Sequence, residues 1–107
     1  MDKKQVKKEI QNITQQLIKK YKPQKIILFG SAVRGKFGPD SDLDFAIIKK
    51  DVPINGIERR WQVRNLINKT IPADFLVYRP EELEGNLKLG DPFVRSIISE
   101  GKVLYGF

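Results

Sequence analysis

The chain has 107 residues, enough for one domain with a single core. Its 20 Lys and Arg against 13 Asp and Glu give a formal charge of +7, a balance that favours nucleotides, polyanions or acidic proteins without selecting among them. Cys and His are absent, which excludes disulfides, thiolate nucleophiles, zinc sites of the usual kind and histidine bases, and leaves carboxylates as the acid–base and metal-binding groups.

Residues 3–21 carry Val6, Ile10, Ile13, Leu17 and Tyr21 at steps of four, three, four and four. That is the stripe of an amphipathic helix, with lysines and glutamines on its other face. Pro23 sets its end near Tyr21-Lys22. The helix is read as packing on a sheet, not as a membrane or nucleic-acid helix. No apolar run is long enough for a membrane span or signal peptide, so the expected location is cytoplasmic.

Lys25–Phe29 reads as a first strand, closed by Gly30-Ser31 and followed by helix-compatible Ala32-Val33-Arg34. Such a turn leaves backbone N–H groups free for phosphate oxygens, although alone it is ordinarily just a turn. Gly35–Pro39 is expected to be a mobile loop. A second strand then opens with Asp42 and Asp44 ahead of apolar Phe45–Ile48, so both carboxylates project from one face. Like charges this close cost stability unless a cation lies between them, which points to a divalent metal. Asp40, Asp42, Asp44 and Asp51 also fall at positions one, three, five and twelve of a calcium loop, but Phe45 stands where that loop requires glycine.

Gly56 to about Lys69 is predicted as a helix with Ile57, Trp61, Val63, Leu66 and Ile67 as its apolar set, and Trp61 is placed in the core or an interface in preference to stacking on a base. Ala73–Tyr78 is a third strand on which Asp74 is an acidic residue in need of a partner. Arg79–Leu83 reads as a turn into a short helix, Asp91-Pro92 as the start of a helix ending by Gly101, and Val103–Tyr105 as a last short strand. The order implies an α+β (α/β-like) domain spanning residues 1–107, a small mixed sheet covered by helices mainly on one face.

Gly30-Ser31, ten intervening residues and Asp42-Leu43-Asp44 form a long, constrained pattern, accompanied by Arg34-Gly35, Ala73–Val77 and Glu100–Tyr105. In these residues the chain resembles the minimal nucleotidyltransferases, relatives of the DNA polymerase β-like nucleotidyltransferases. The resemblance implies a nucleotidyltransferase-type core and Mg²⁺-dependent transfer, with Gly30, Ser31 and Arg34 on the nucleoside triphosphate. Asp42, Asp44 and Asp74 would be the catalytic and metal-binding carboxylates, holding two Mg²⁺ ions, with ATP as substrate.

The same resemblance implies an antitoxin that places AMP on a hydroxyl, typically tyrosine, of a helical HEPN-type toxin partner. Two other readings stay open: neutralisation of the partner by contact alone, and transfer to RNA or to a small molecule. A nucleic-acid partner is possible but less favoured.

Overall fold

The structure, a computed structural model, describes residues 2–38 and 40–106. Pro39, at the end of the loop expected after the Gly-Ser turn, lies outside them. The chain runs α1 (Lys3–Gln16), a π-helical turn (Leu17–Tyr21), β1 (Lys25–Phe29), β2 (Leu43–Ile48), α2 (Gly56–Leu66), β3 (Ala73–Tyr78), α3 (Pro80–Lys88), α4 (Pro92–Glu100) and β4 (Lys102–Tyr105). The architecture is α+β, with a four-stranded mixed sheet.

Local chemistry sets the ends of the elements. Asp2 caps α1 through a reciprocal pair with Gln5: its carboxylate accepts from the Gln5 N–H at 2.8 Å, and its own N–H donates to the Gln5 side chain at 3.1 Å. The helix predicted over 3–21 continues to Tyr21 but widens into a π turn closed by Lys22 N–H donating to the Leu17 carbonyl at 3.0 Å. Lys22 then adopts a left-handed conformation ahead of Pro23. Asn55 accepts from the N–H groups of Ile57 and Glu58 to start α2. That helix stops at Leu66, short of the expected Lys69, because Ile67 turns to extended backbone and enters the core.

The strand order is β3-β2-β1-β4, with β1 antiparallel to both β2 and β4 and β2 parallel to β3. Side chains alternate across such a sheet, so its two faces can be read residue by residue. Ile26 and Leu28 of β1, Leu43, Phe45 and Ile47 of β2, and Phe75 and Val77 of β3 enter the larger core with Ile13, Leu17 and Tyr21, as the amphipathic stripe predicts. Ile27, Ala46 and Ile48 face the other way and meet Ile97 of α4, with Leu83 of α3 packed beside them. The main core thus lies on one face, and α3 and α4 cover only part of the second.

The apolar set assigned to α2 is only partly buried. Val63 and Ile67 are core residues, whereas Ile57 is exposed and Trp61 is 66% exposed, so Trp61 is not a core side chain. The inward position one turn before Val63 belongs instead to Arg59. Its guanidinium donates to the carbonyls of Pro53, Ile54 and Val77 and makes a two-pronged ion pair with Glu82, tying α2, β3 and α3 together. Looser apolar spacing in α2 is the sequence trace of that buried arginine. No helix among the described residues is long and apolar enough to cross a membrane.

Candidate functional site

The incompletely covered face of the sheet carries the acidic residues. In the parallel β2–β3 ladder Asp44 is the direct partner of Asp74, and in the antiparallel β1–β2 ladder Phe29 is the partner of Asp44. All three belong to the alternation that faces α4. Together with Gly30, Val33 and Arg34 of the turn after β1, Arg60 of α2, and Phe93, Ser96 and Glu100 of α4 they line a cavity of about 560 Å³. Asp42 stands one residue before β2, exposed and outside the cavity lining, while its charge still reaches Asp44.

Two carboxylates side by side on neighbouring strands repel. Partial burial, foremost, and then the charges of Asp74 and Asp42 raise the pKa of Asp44 above the usual carboxylate range, against a smaller opposing pull from Arg34. Asp74 has a counter-charge of its own: Arg60 Nη2 stands 2.9 Å from its Oδ1. With side chains 44% and 52% exposed, this pair contributes no more than about 1 kcal/mol, so a ligand or cation can displace the arginine at little cost.

The turn after β1 supplies the opposite wall. Gly30 has φ +80°, and a Cβ built there would overlap the Asp44 carboxylate. Glycine is favoured here by the left-handed backbone conformation, and any Cβ would also force the Asp44 carboxylate to move. The Gly30 carbonyl accepts from the N–H groups of Val33 and Arg34 at 3.2 and 3.3 Å, and the Ser31 carbonyl from Lys36 at 3.0 Å, which winds 31–35 into a helical turn. The N–H groups of Ser31 and Ala32 donate to no acceptor among the described residues. Free amides at the start of such a turn, with Arg34 on the same turn, form an anion-binding arrangement.

Of the residues singled out from sequence, Gly30, Arg34, Asp44 and Asp74 thus share one cavity, while Ser31, next to Gly30 in the turn, and Asp42, one residue before β2, are outside its lining. The donor set is all oxygen and anionic, the chemistry that suits a hard divalent cation such as Mg²⁺. Among the described residues, no three acidic side chains gather closely enough to ligate a single ion. Asp74 is instead engaged by Arg60, and Asp42 is turned to solvent.

Sequence reasoning missed Arg60 and the wall formed by Phe29, Leu76, Phe93, Ser96 and Glu100. The signal for Arg60 is its helical phase, one residue on from the buried Arg59, which aims it at β3. For the α4 wall no local pattern exists, because Asp91-Pro92 announces only a helix start.

A family model described as Polymerase beta, Nucleotidyltransferase matches residues 11–106. A Methanocaldococcus jannaschii protein, named as a candidate protein adenylyltransferase, is 29% identical over an alignment covering 92% of this chain and 73% of that protein. The 1.40 Å crystal structure of a candidate nucleotidyltransferase from Sulfolobus solfataricus superposes with a TM-score of 0.59, covering 99% of this chain and 90% of the other. At 18% identity that likeness speaks to the fold alone.

Proposed function

This chain belongs to the polymerase beta nucleotidyltransferase family, and from that premise we propose that it transfers AMP from ATP to a hydroxyl of a protein partner, as a Mg²⁺-dependent adenylyltransferase. The observation that carries this reading is the Asp44–Asp74 pair, which shares one cavity with Gly30 and Arg34 of a turn whose Ser31 and Ala32 amides are free among the described residues. The name of the Methanocaldococcus relative supports a protein acceptor. A HEPN-type helical toxin, neutralised by the modification, is the partner class proposed on the family resemblance.

Each residue has a task in this scheme. The Ser31 and Ala32 amides, the Ser31 hydroxyl and the Arg34 guanidinium bind phosphate oxygens and fix the triphosphate against the turn. Asp44 and Asp74 would hold Mg²⁺, and Asp42 would have to turn in from solvent to join them. When bound, the metal supplies charge neutralisation at the phosphates and a more acidic acceptor hydroxyl. Asp74 accepts the proton of that hydroxyl as its oxygen forms a bond to the α-phosphorus and the α–β bridging P–O bond breaks, releasing pyrophosphate. Arg60, released from Asp74, remains beside the cavity as a cation for the departing charge.

The test is incubation with α-labelled ATP, Mg²⁺ and the product of the adjacent reading frame. The expected result is label on that protein, an AMP mass increment mapping to tyrosine, and loss of both in the Asp42→Asn/Asp44→Asn double variant. Neutralisation of the partner by the double variant without modification would replace this reading with contact-only inhibition, and labelling of RNA alone would replace the protein acceptor.

A further inference from the structure

We propose that Phe93, braced by Phe29, is the platform on which the nucleobase stacks, and that it gives the site a preference for purine nucleotides; this rests on the nucleotidyltransferase reading above. Phe93 is the second residue of α4 and remains 49% exposed, whereas Val94 and Ile97 are the buried residues of the helix and Ile97 packs against Ile27, Ala46 and Ile48 of the sheet. The core does not need this ring. It stands in a T-shaped arrangement with Phe29, centroids 5.8 Å apart and planes at 86°, and both rings line the cavity that holds Asp44, Asp74, Gly30 and Arg34. Its backbone is fixed at both ends: the Phe93 N–H donates to the Asp91 carboxylate at 2.9 Å, and the Phe93 carbonyl accepts from the Ser96 hydroxyl at 2.7 Å. An exposed aromatic side chain held in place at the edge of a polar cavity is the arrangement that stacks a flat ring.

The position within the site follows from the two ends already assigned. A triphosphate on the Gly30–Arg34 turn, with its α-phosphate at the carboxylates, leaves the wall formed by Phe29, Leu76 and Phe93 for ribose and base. The cavity, about 560 Å³, lies in the size range of sites that enclose a ligand of this kind. Trp61 and Tyr105, also exposed aromatics, do not line the cavity. A purine covers more of a phenyl face than a pyrimidine does, and apolar area removed from water scales with that overlap.

The experiment is titration calorimetry of the intact chain with ATP, UTP and inorganic tripolyphosphate, each with Mg²⁺. Wild type is expected to bind ATP more tightly than UTP. Phe93→Ala should weaken ATP by roughly 5- to 150-fold, the range for one base–aromatic stack, narrow the gap to UTP and leave tripolyphosphate unchanged. Phe93→Leu, which keeps apolar volume, should resemble the alanine variant, and Phe93→Trp should restore ATP binding. Unchanged ATP affinity in Phe93→Ala would overturn the platform, as would equal losses for ATP and tripolyphosphate. Failure of wild type to bind either ATP or tripolyphosphate would overturn the nucleotide reading itself, and the platform with it.

Discussion

Replacing Asp44 with Asn should change stability in opposite directions with and without ligand. In the free protein the Asp44 carboxylate is partly desolvated and faces the charges of Asp74 and Asp42, with only Arg34 in its favour. Like charges directly opposed across a sheet cost about 0.2–1 kcal/mol. Removing one while keeping its shape should therefore stabilise the free fold by up to about 1 kcal/mol, or roughly 4–8 °C in Tm for a domain near this size. Because burial and like charge raise the pKa of Asp44, its cost is fully present above that raised value and is relieved as pH falls through it. The advantage of the variant should shrink accordingly toward acid pH. With Mg²⁺ and ATP at about 100 times Kd, wild type should gain about 2.7 kcal/mol from linkage, which the variant forfeits with its metal ligand. The two melting curves should therefore exchange order on adding ligand, as read by differential scanning calorimetry. Equal ligand-induced stabilisation of wild type and Asp44→Asn would refute the metal assignment, and a destabilised free variant would refute the repulsion argument.

Single-turnover kinetics separate positioning from chemistry: Ser31→Ala should lower nucleotide affinity with the rate at saturation largely kept, while Asp74→Asn should lower the saturating rate, and a full rate in Asp74→Asn would rule out its proton-accepting role. The Arg59–Glu82 pair predicts a pH-dependent stability. The hydrogen bond from Arg59 holds the Glu82 pKa below its ordinary value, so its contribution is complete above the unfolded pKa of about 4.3 and is lost as pH falls through the lower folded value. Glu82→Gln should cost about 1–2 kcal/mol at pH 7 in urea denaturation, after allowance for the partial exposure of Glu82, and markedly less near pH 3; an equal cost at both would show that packing, not charge, is what the substitution removes.

The elements were legible because their signals are local. A 3.6-residue stripe made α1, Asp91-Pro92 made the start of α4, and alternation of Phe45 and Ile47 with Ala46 and Ile48 made a strand with two covered faces. The candidate site was legible where it sits on one segment: Gly30, Arg34 and Asp44 are joined by a single turn and strand. Arg59 and the core placement of Trp61 misled, because tertiary contacts override periodicity. The Glu82 carboxylate and three backbone carbonyls make an arginine the best inward residue of α2, and the tryptophan is left outside. Arg60 and Phe93 reach the cavity only through the packing of α2 and α4 on the sheet, and no spacing in the chain encodes those distances.

The register of β2 couples the core to the site. Phe45 stacks on Phe75 with centroids 5.6 Å apart and planes at 24°, and Leu43, Phe45 and Ile47 all enter the larger core. A slip of β2 by one residue would turn Asp44 into that core and Phe45 into the cavity, since the side-chain period of a strand is two. A buried, uncompensated carboxylate costs several kcal/mol, on top of the lost aromatic packing. The same choice that buries Phe45 against Phe75 therefore sets Asp44 opposite Asp74, and the repulsion between the two carboxylates, at most about 1 kcal/mol, is far too small to reverse it. The fold holds two like charges together because the residues on either side of Asp44 leave it no other face to occupy.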